Sequence, residues 1–449
     1  MSSPSRKDFR LFRGWTGGLI LRPWFDWVGV RAVARWYLPL SRAWAAGVAA
    51  EGSVAALTGS LGIDPAILPG AEKILARIET RRSLGIDANG QWEKAFFGPV
   101  DPGPVVLARA EAARFKRSTV LMAMRGSFLP VRRNVRKIDW KIAPPDAVME
   151  AHGGRLAAPS AFPAPAETAV DRSRTIVRDG RIEGWLRMTS PVLGDTAWAR
   201  VFRPANGPVH GTVVSLHGVF MEQDSWAMAD PVTDLVSRGF CVIRPEGPWH
   251  GRRCPPGTYG GEMVFAAGIL GFIETFQAWV AEVALFIRWA RAEIGPRVAV
   301  AGISLGALTC QLVVSACGAW PAAMRPDAAL LITSTNDIVD GALNGSLARE
   351  VGILEHLWMA GWTRDGMHRW RPLVEPAAEP AIDPSRIVMA LGDVDTVTPY
   401  ATGRLFAGEW RIPAENLFVR RQGHFTTALG LYRYPAALDR LATIVTAME

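Results

Sequence analysis

Ser304 stands in a setting that suits nucleophilic chemistry. It lies at the centre of GISLG, residues 302–306, after the apolar run RVAVAGIS and before the helix-like run LGALTCQLVVSACG. A strand that turns sharply into a helix presents one side chain at the turn, and bulky neighbours there would clash with adjacent backbone. The two glycines that flank the serine therefore predict an exposed hydroxyl on a strained strand-to-helix turn.

A serine hydroxyl is a weak nucleophile at neutral pH, so it needs a base and the base needs an orienting acid. Three histidines follow Ser304 along the chain, namely His356, His368 and His424. His424 lies in RRQGHFT, directly after the last predicted strand, where a short loop reaches the carboxyl edge of a sheet. We predict that His424 is the general base. A surface histidine is the alternative interpretation, and the other two lie in an irregular insertion.

The orienting acid is expected at the end of the preceding strand. The sequence ALGDVDTVTP offers Asp393 and Asp395 there. We choose Asp395, which lies beyond the strand end, and interpret Asp393 as a turn residue or a helper. Asp337, one strand earlier, is the weaker candidate. A turn-capping role is the alternative for any one of these aspartates.

Acyl transfer also needs N–H donors that stabilise an oxyanion. One is expected at Leu305, the first residue of the helix after Ser304, where backbone donors are free. The other is expected from the loop in GTVVSLHGVF, with Val219 or Phe220 as the donor. His217 in that loop is predicted to shape the substrate site rather than to act as a base.

Two further segments are candidates for substrate contact. The rigid loop RPEGPWHGRRCPPGTYGGE, residues 244–262, carries Trp249, His250 and Arg252, which could line the entrance and hold an acidic headgroup. A purely structural loop is the alternative. Residues 335–383 form a tryptophan-rich insertion that suggests an apolar lid, with ordinary surface decoration as the alternative.

The elements that must position these residues follow an alternating pattern. From about residue 184, continuous apolar strands alternate with helices, which predicts a doubly wound, mostly parallel sheet covered on both faces, an α/β fold. We assign residues 184–449 to this catalytic domain. Residues 1–142 are predicted to be a mainly helical, basic region, and residues 143–183 a linker rich in Pro, Ala and Gly.

The charge is unevenly distributed. Residues 1–182 contain 28 Lys and Arg against 16 Asp and Glu, a net of +12, and every lysine lies at or before Lys141. Within this part, residues 15–50 combine tryptophans with arginines at helical spacing and could lie flat on an anionic membrane. A helical pair packed on its own domain is the alternative. No nucleic-acid reading motif accompanies the basic run PVRRNVRKIDWK, so no nucleic-acid partner is expected.

The remaining composition constrains the class of protein. The four cysteines lack paired metal spacing, and we interpret them as reduced thiols. The first residues have no apolar core of a secretory signal, and no uninterrupted apolar stretch is long enough to span a bilayer. We therefore expect a cytoplasmic protein, with peripheral membrane contact as an open question, and no metal or organic cofactor. The oligomeric state is not predicted.

The motifs LHGVF, GISLGA, GDVDTVTP and RQGHF occur in an order that resembles the alpha/beta-hydrolase superfamily over about residues 184–449. The resemblance implies a triad of Ser304, Asp395 and His424. More narrowly, GPWHGRR, GISLGA, TGRL and GH are similar to the branch called alpha/beta-hydrolase domain-containing protein eighteen. That similarity implies a helical N-terminal portion and activity on lipid acyl esters.

The first hypothesis is a serine hydrolase that cleaves carboxylic esters, with lipid acyl esters as the suggested class, through an acyl-enzyme. A peptidase or a thioesterase would use the same triad. A hypothesis of a different class is a non-catalytic scaffold with a basic, membrane-binding N-terminal region.

Overall fold

A computed structural model describes residues 12, 14–156, 161–222 and 231–448. Ten strands form one sheet in the order β1-β3-β4-β6-β5-β7-β8-β9-β10, and β2 pairs with β3. The strands are β1 Asp171–Arg172, β2 Ile176–Arg178, β3 Arg181–Thr189, β4 Thr196–Pro204, β5 Gly211–Leu216, β6 Phe240–Pro245, β7 Val298–Ile303, β8 Ala328–Ile332, β9 Ile387–Gly392 and β10 Leu417–Arg420.

The sheet has a parallel part and an antiparallel part. Strands β5 to β10 pair in parallel, and β1 to β4 join them through antiparallel pairings that end at β4 and β6. Every residue of β5, β6, β8 and β9 is buried, because these apolar strands are covered on both faces. The mostly parallel α/β fold predicted from the sequence is confirmed.

Helices of the catalytic part cover the sheet and form its connections. They are α8 Glu262–Ala266, α9 Ile269–Glu293, α10 Leu305–Ala316, α11 Ser346–Val351, α12 Ile353–Met359, α13 Arg364–His368, α14 Arg371–Val374, α15 Tyr400–Glu409, α16 His424–Gly430 and α17 Ala436–Thr446, and a 3₁₀ helix covers Pro231–Arg238. Among the described residues, α9 alone is long and apolar enough to cross a membrane. Since 89% of its apolar stretch is buried inside the protein, α9 is the central core helix.

The N-terminal region is mainly helical, as predicted. Its helices are α1 Trp15–Ile20, α2 Pro23–Ala32, a π-helical turn Val33–Tyr37, α3 Leu38–Ala49, α4 Val54–Leu61, α5 Ala71–Phe97 and α6 Pro104–Met122, followed by a 3₁₀ helix Ala123–Val131. Buried residues such as Val30, Leu38 and Ile138 belong to the same apolar cluster as the core helix α9. The N-terminal helices therefore pack directly on the catalytic part.

The segment 143–183 differs from the predicted linker. Helix α7 covers Pro145–Leu156, and β1 and β2 pair with β3 at the edge of the sheet. Phe162 is buried, and its carbonyl accepts a hydrogen bond of 2.9 Å from the indole of Trp320. The described residues of this segment are thus part of the folded body.

The predicted insertion lies between β8 and β9, as expected, but it is more regular than its sequence suggests. The four short helices α11 to α14 form it. Trp362 and Trp370 are buried, whereas Trp358 is 47% exposed. Two of its three tryptophans therefore serve packing.

Candidate active site

Ser304 lies at the turn between β7 and α10. Its backbone has φ 55° and ψ −117°, a conformation that non-glycine residues rarely adopt. A Cβ at Gly302 would lie 2.5 Å from the backbone nitrogen of Ala307, and one at Gly306 would lie 2.7 Å from the carbonyl oxygen of His217. The two glycines are thus required by close backbone approach, which holds the serine in its strained turn.

Three predicted residues form a continuous hydrogen-bonded chain. His424 Nε2 lies 2.9 Å from Ser304 Oγ, and His424 Nδ1 lies 2.8 Å from Asp395 Oδ2. His424 is 6% exposed and Asp395 is 5% exposed. The structure therefore brings together a hydroxyl, an imidazole and a carboxylate in the order that a nucleophile, a base and its orienting acid require.

Asp395 is fixed by its own turn. Its Oδ1 accepts hydrogen bonds from the backbone N–H groups of Val397, at 2.8 Å, and Thr398, at 3.1 Å. The Thr398 hydroxyl donates to Oδ2 at 2.9 Å. These contacts fix the carboxylate so that Oδ2 faces the imidazole.

The competing candidates lie elsewhere. Asp393 is exposed, and Asp337 accepts a hydrogen bond from the backbone of Asp340. His356 stacks on Trp140 with ring centroids 4.3 Å apart. His368 pairs with Asp340 at 2.9 Å. Asp337, His356 and His368 are thus engaged with other groups, and Asp393 is open to solvent.

The loop that follows β5 runs beside Ser304. A Cβ at Gly218 would lie 3.5 Å from Ser304 Cβ. Phe220 is buried with a positive φ of 63°, and its carbonyl accepts a hydrogen bond of 3.0 Å from the hydroxyl of Tyr37. Leu305 is the first residue of α10, so its N–H has no partner within that helix. The predicted donors Leu305, Val219 and Phe220 therefore lie on the two backbone segments that flank the serine.

His217 joins two loops in the interior. Its Nδ1 lies 2.7 Å from the carbonyl oxygen of Gly218, and its Nε2 accepts a hydrogen bond of 3.0 Å from the N–H of Gly247. Burial, reinforced by the neighbouring His250, holds the pKa of His217 well below its ordinary value. A neutral ring that donates at one nitrogen and accepts at the other suits this bridge, which fixes the loop after β5 against the loop after β6.

His250 and Arg252 are also held by protein contacts. His250 is 1% exposed, its Nδ1 lies 2.8 Å from the carbonyl oxygen of Pro248, and burial lowers its pKa to about 4. The guanidinium of Arg252 stacks 4.4 Å from the ring of Trp92 in the N-terminal region. It also lies 3.7 Å from Glu246.

These contacts correct part of the sequence-based interpretation. His250 and Arg252 were expected to line the substrate entrance and His217 to shape the substrate site as a loop residue, but all three side chains are buried against protein groups. The alternative interpretation, a structural loop, fits them. Trp249 is half-buried at a positive φ of 59°, and its carbonyl accepts a hydrogen bond from Gly261. The expected place of its side chain at the substrate entrance stays a prediction.

Two residues at the site were missed by sequence reasoning. Thr398 lies three positions after Asp395, and this short spacing is a detectable signal because such hydroxyls often bond a preceding carboxylate. Asp26 accepts hydrogen bonds from the turn that carries His424. It is the one acidic residue among the tryptophans and arginines of residues 15–50, which marks it as unusual but does not reveal its partner.

The sequence matches the family described as "Alpha/beta hydrolase family" over residues 213–447, more than half of the chain. The chain belongs to the alpha/beta hydrolase family. The match includes Ser304, Asp395 and His424 and ends one residue after the last helix of this hydrolase. No significantly similar sequence was found among curated proteins.

Solved structures similar to this hydrolase include several esterases. A cold-adapted esterase from an Arctic intertidal metagenomic library has 19% identity and a TM-score of 0.41, covering 60% of this chain and 97% of that chain. Acetyl xylan esterase 1 from Thermoanaerobacterium sp. JW/SL YS485 has 14% identity and a TM-score of 0.44, with 66% and 97% covered. An acetyl xylan esterase from Paenibacillus sp. R4 has 14% identity and a TM-score of 0.46, with 66% and 93% covered. At these identities and TM-scores the likeness assigns no activity or substrate to this chain.

Proposed function

We propose that this protein is a serine hydrolase that cleaves carboxylic esters through an acyl-enzyme. Ser304 is the nucleophile, His424 the general base and Asp395 the orienting acid. The observation that carries the proposal is the hydrogen-bonded chain from Ser304 Oγ through the imidazole to Asp395 Oδ2. Such a chain turns a weak hydroxyl into a nucleophile because the proton has an acceptor already in place.

In the first half-reaction, His424 Nε2 takes the hydroxyl proton of Ser304 as Oγ bonds to the ester carbonyl carbon. The carbonyl oxygen becomes an oxyanion, which the N–H of Leu305 and an N–H of Val219 or Phe220 stabilise. The imidazolium then gives its proton to the leaving alkoxide as the carbon–oxygen bond breaks. The products are an alcohol and an ester of Ser304.

In the second half-reaction, His424 takes a proton from water as the water oxygen attacks the acyl carbon. The bond to Ser304 Oγ breaks, and the imidazolium returns its proton to that oxygen. A carboxylic acid leaves and the enzyme is restored. Asp395 Oδ2 accepts the hydrogen bond from the Nδ1–H in both half-reactions, which fixes the ring so that Nε2 faces the serine.

A lipid-like acyl ester is the substrate class we propose. The support is Trp358, which is 47% exposed in the insertion between β8 and β9, and the resemblance of GPWHGRR and TGRL to the branch associated with lipid acyl esters. A thioesterase or a peptidase would use the same groups, because the triad tolerates different leaving groups. A non-catalytic scaffold would have no use for a serine held at a strained φ of 55° against an imidazole.

A panel of p-nitrophenyl esters with graded acyl length tests the function, with a matched thioester and a peptide anilide beside it. Hydrolysis of esters that is lost in Ser304→Ala supports the proposal, and a preference for long acyl chains supports the lipid class. Faster turnover of the thioester or the anilide would move the assignment to the alternative reactions. No turnover by folded wild-type protein would favour the scaffold.

A second proposal concerns the location of the enzyme. Helices α1 and α2 expose apolar side chains, among them Trp15 at 78%, Trp24 at 54% and Trp27 at 62%. The guanidinium of Arg31 lies 4.0 Å from the ring of Trp27. Exposed indoles and arginines suit the interface of an anionic membrane. We therefore propose a cytoplasmic protein that contacts membranes peripherally through this face.

A further inference from the structure

The chain from Pro23 to Tyr37 is a helical segment with two different faces. Its outward face carries the exposed tryptophans and arginines. Its inward face carries Asp26, Val30, Ala34 and Tyr37, which recur at three- and four-residue spacing and lie against the catalytic part. Two of these four residues, Asp26 and Tyr37, are polar and form hydrogen bonds with the loops that surround Ser304 and His424.

Asp26 contacts the turn that carries His424. Its Oδ1 accepts hydrogen bonds from the backbone N–H groups of Phe425, at 2.5 Å, and Thr426, at 3.1 Å. Its Oδ2 accepts from the N–H of Gly423, at 3.2 Å, and from the Thr426 hydroxyl. Asp26 is 8% exposed, so hydrogen bonds from the N–H and O–H groups of this turn take the place of most of the hydration of its carboxylate. Both oxygens are thus committed to residues on either side of the histidine.

The turn needs an acceptor from outside because its own capping residue cannot supply one. His424 is the first residue of α16, and Gly423 precedes it at the capping position. The first N–H groups of a helix lack partners within that helix, and a side-chain oxygen usually accepts from them. Glycine has no side chain, and a Cβ at Gly423 would lie 2.7 Å from Asp26 Oδ2. The cap comes instead from a residue 397 positions earlier in the chain.

Tyr37 contacts the other side of the site. Its hydroxyl donates to the carbonyl of Phe220, in the loop beside Ser304, at 3.0 Å. Phe220 has a positive φ of 63°, which costs a non-glycine residue energy and persists only when neighbouring contacts hold it. Tyr37 supplies such a contact. The same helical segment thus fixes both the histidine turn and the predicted oxyanion loop.

We propose that Asp26 and Tyr37 are positioning residues, which set the imidazole of His424 and the loop of Phe220 in place for catalysis. The inference rests on the proposed serine hydrolase function. It gives two side chains of the N-terminal helical segment, Asp26 and Tyr37, a role in positioning the active site. A displacement of the imidazole by about 1 Å can cost on the order of a hundredfold in rate, so a remote cap of this kind controls turnover.

Asp26→Asn, Tyr37→Phe and Val30→Ala in the full-length protein test the proposal. Asp26→Asn keeps the shape but replaces one acceptor oxygen with an amide donor that faces other donors. Tyr37→Phe removes one hydroxyl. Val30→Ala is the matched control, since it weakens the same inward face by apolar truncation and makes no polar contact with either loop. Thermal unfolding shows that each variant is folded at the assay temperature.

The kinetic readout separates binding from turnover. We expect Asp26→Asn to lower kcat by about 10- to 100-fold with KM changed little. Tyr37→Phe is expected to lower kcat by roughly three- to tenfold, the size of one lost hydrogen bond. Val30→Ala is expected to stay within about twofold of wild type. Equal losses of kcat in Val30→Ala and Asp26→Asn would reduce the role of Asp26 to general stability and overturn the inference.

A spectroscopic readout keeps the two proposals distinguishable. The downfield proton resonance of the His424 Nδ1–H, assigned by its absence in His424→Ala, reports the bond to Asp395 whether or not the enzyme turns over. We expect this resonance to shift or broaden in Asp26→Asn and to stay unchanged in Val30→Ala. An unchanged resonance in Asp26→Asn overturns the inference. A wild-type protein without hydrolase activity but with a displaced resonance in Asp26→Asn would contradict the proposed function and retain the positional role.

Discussion

Gly306 lies against the backbone of Leu216, where a Cβ at position 306 would be 2.6 Å from the carbonyl carbon and nearer still to its oxygen. Both partners are backbone atoms of the central sheet, which cannot give way as a flexible side chain can. We therefore expect Gly306→Ala to lower the free energy of unfolding by roughly 1–3 kcal/mol, the range of overpacked cores, and to lower ester hydrolysis by displacing Ser304. Urea unfolding and initial rates measure the two effects.

Gly408→Ala is the matched control for that substitution. Gly408 lies in α15, is exposed, and has no atom within 4 Å of a Cβ placed there. The substitution should be neutral or raise the free energy of unfolding by about 0.5–1 kcal/mol, because alanine favours the helix. An equal loss of stability and activity in both variants would mean that the contact with Leu216 is not the reason for glycine at position 306.

Asp395→Asn should abolish most of the activity while the fold persists. The amide can no longer hold the Nδ1 proton of His424 as an ionised acceptor, so the imidazole loses its orientation and its charge partner. We expect kcat to fall by about a thousandfold or more. Asp393→Asn should remain within about twofold of wild type, since Asp393 is exposed in the same turn. A larger effect at position 393 than at 395 would reverse the assignment.

Acid should destabilise the protein through its buried histidines. Burial lowers the pKa of His250 to about 4, whereas the unfolded chain takes up the proton near pH 6.5. The unfolded state therefore binds more protons between these values, and the free energy of unfolding falls as the pH drops from about 6.5 to about 4. The fully buried His250 contributes a slope approaching about 1.4 kcal/mol per pH unit.

His250→Asn isolates this contribution from those of other groups, because its amide can donate to the Pro248 carbonyl and does not titrate. Urea unfolding of both proteins across pH 4 to 7 should show a shallower acid slope for the variant. Identical slopes would contradict the burial of a neutral histidine at this position.

Binding to anionic membranes should depend on the exposed tryptophans of α2. We expect Trp24→Ala combined with Trp27→Ala to weaken binding to phosphatidylglycerol-containing vesicles by about tenfold or more, as apolar contact with the interface is lost. Ile86→Ala, at an apolar residue 57% exposed on α5, is the control and should leave binding unchanged. Co-sedimentation at two salt concentrations measures this binding. A wild-type protein that does not bind anionic vesicles at low salt would contradict the proposal.

The sequence predicted the sheet because its signals are local. The apolar runs of β5, β7 and β8 and the glycines around Ser304 each constrain a few consecutive residues, and the alternation of strands with helices indicates a mostly parallel sheet. The order of the strands was not predicted. His424 was placed by the same logic, since a loop after the last strand must emerge at the edge where Ser304 lies. These elements could be predicted without knowing any contact between residues far apart in the sequence.

The contacts between the N-terminal region and the catalytic part could not be predicted in this way. Asp26 and Gly423 are joined across 397 positions, and nothing near either residue encodes the other. Arg252 was expected at a substrate entrance because its loop follows a strand at the same edge of the sheet and its guanidinium could hold an acidic headgroup. The structure instead stacks its guanidinium on Trp92, from a helix whose packing against the sheet no local pattern specifies. Segment 143–183 was interpreted as a linker from its composition alone, because no local pattern showed that it packs on the rest of the protein.

The most direct test of the central claim is the site of covalent capture by a fluorophosphonate. Intact-mass and peptide mass spectrometry of the folded protein should show one adduct per chain on Ser304, and none in Ser304→Ala. His424→Ala should react far more slowly than wild type. A wild-type protein that remains unmodified, or an adduct on another residue that persists in Ser304→Ala, would contradict the assignment of Ser304 as the activated nucleophile.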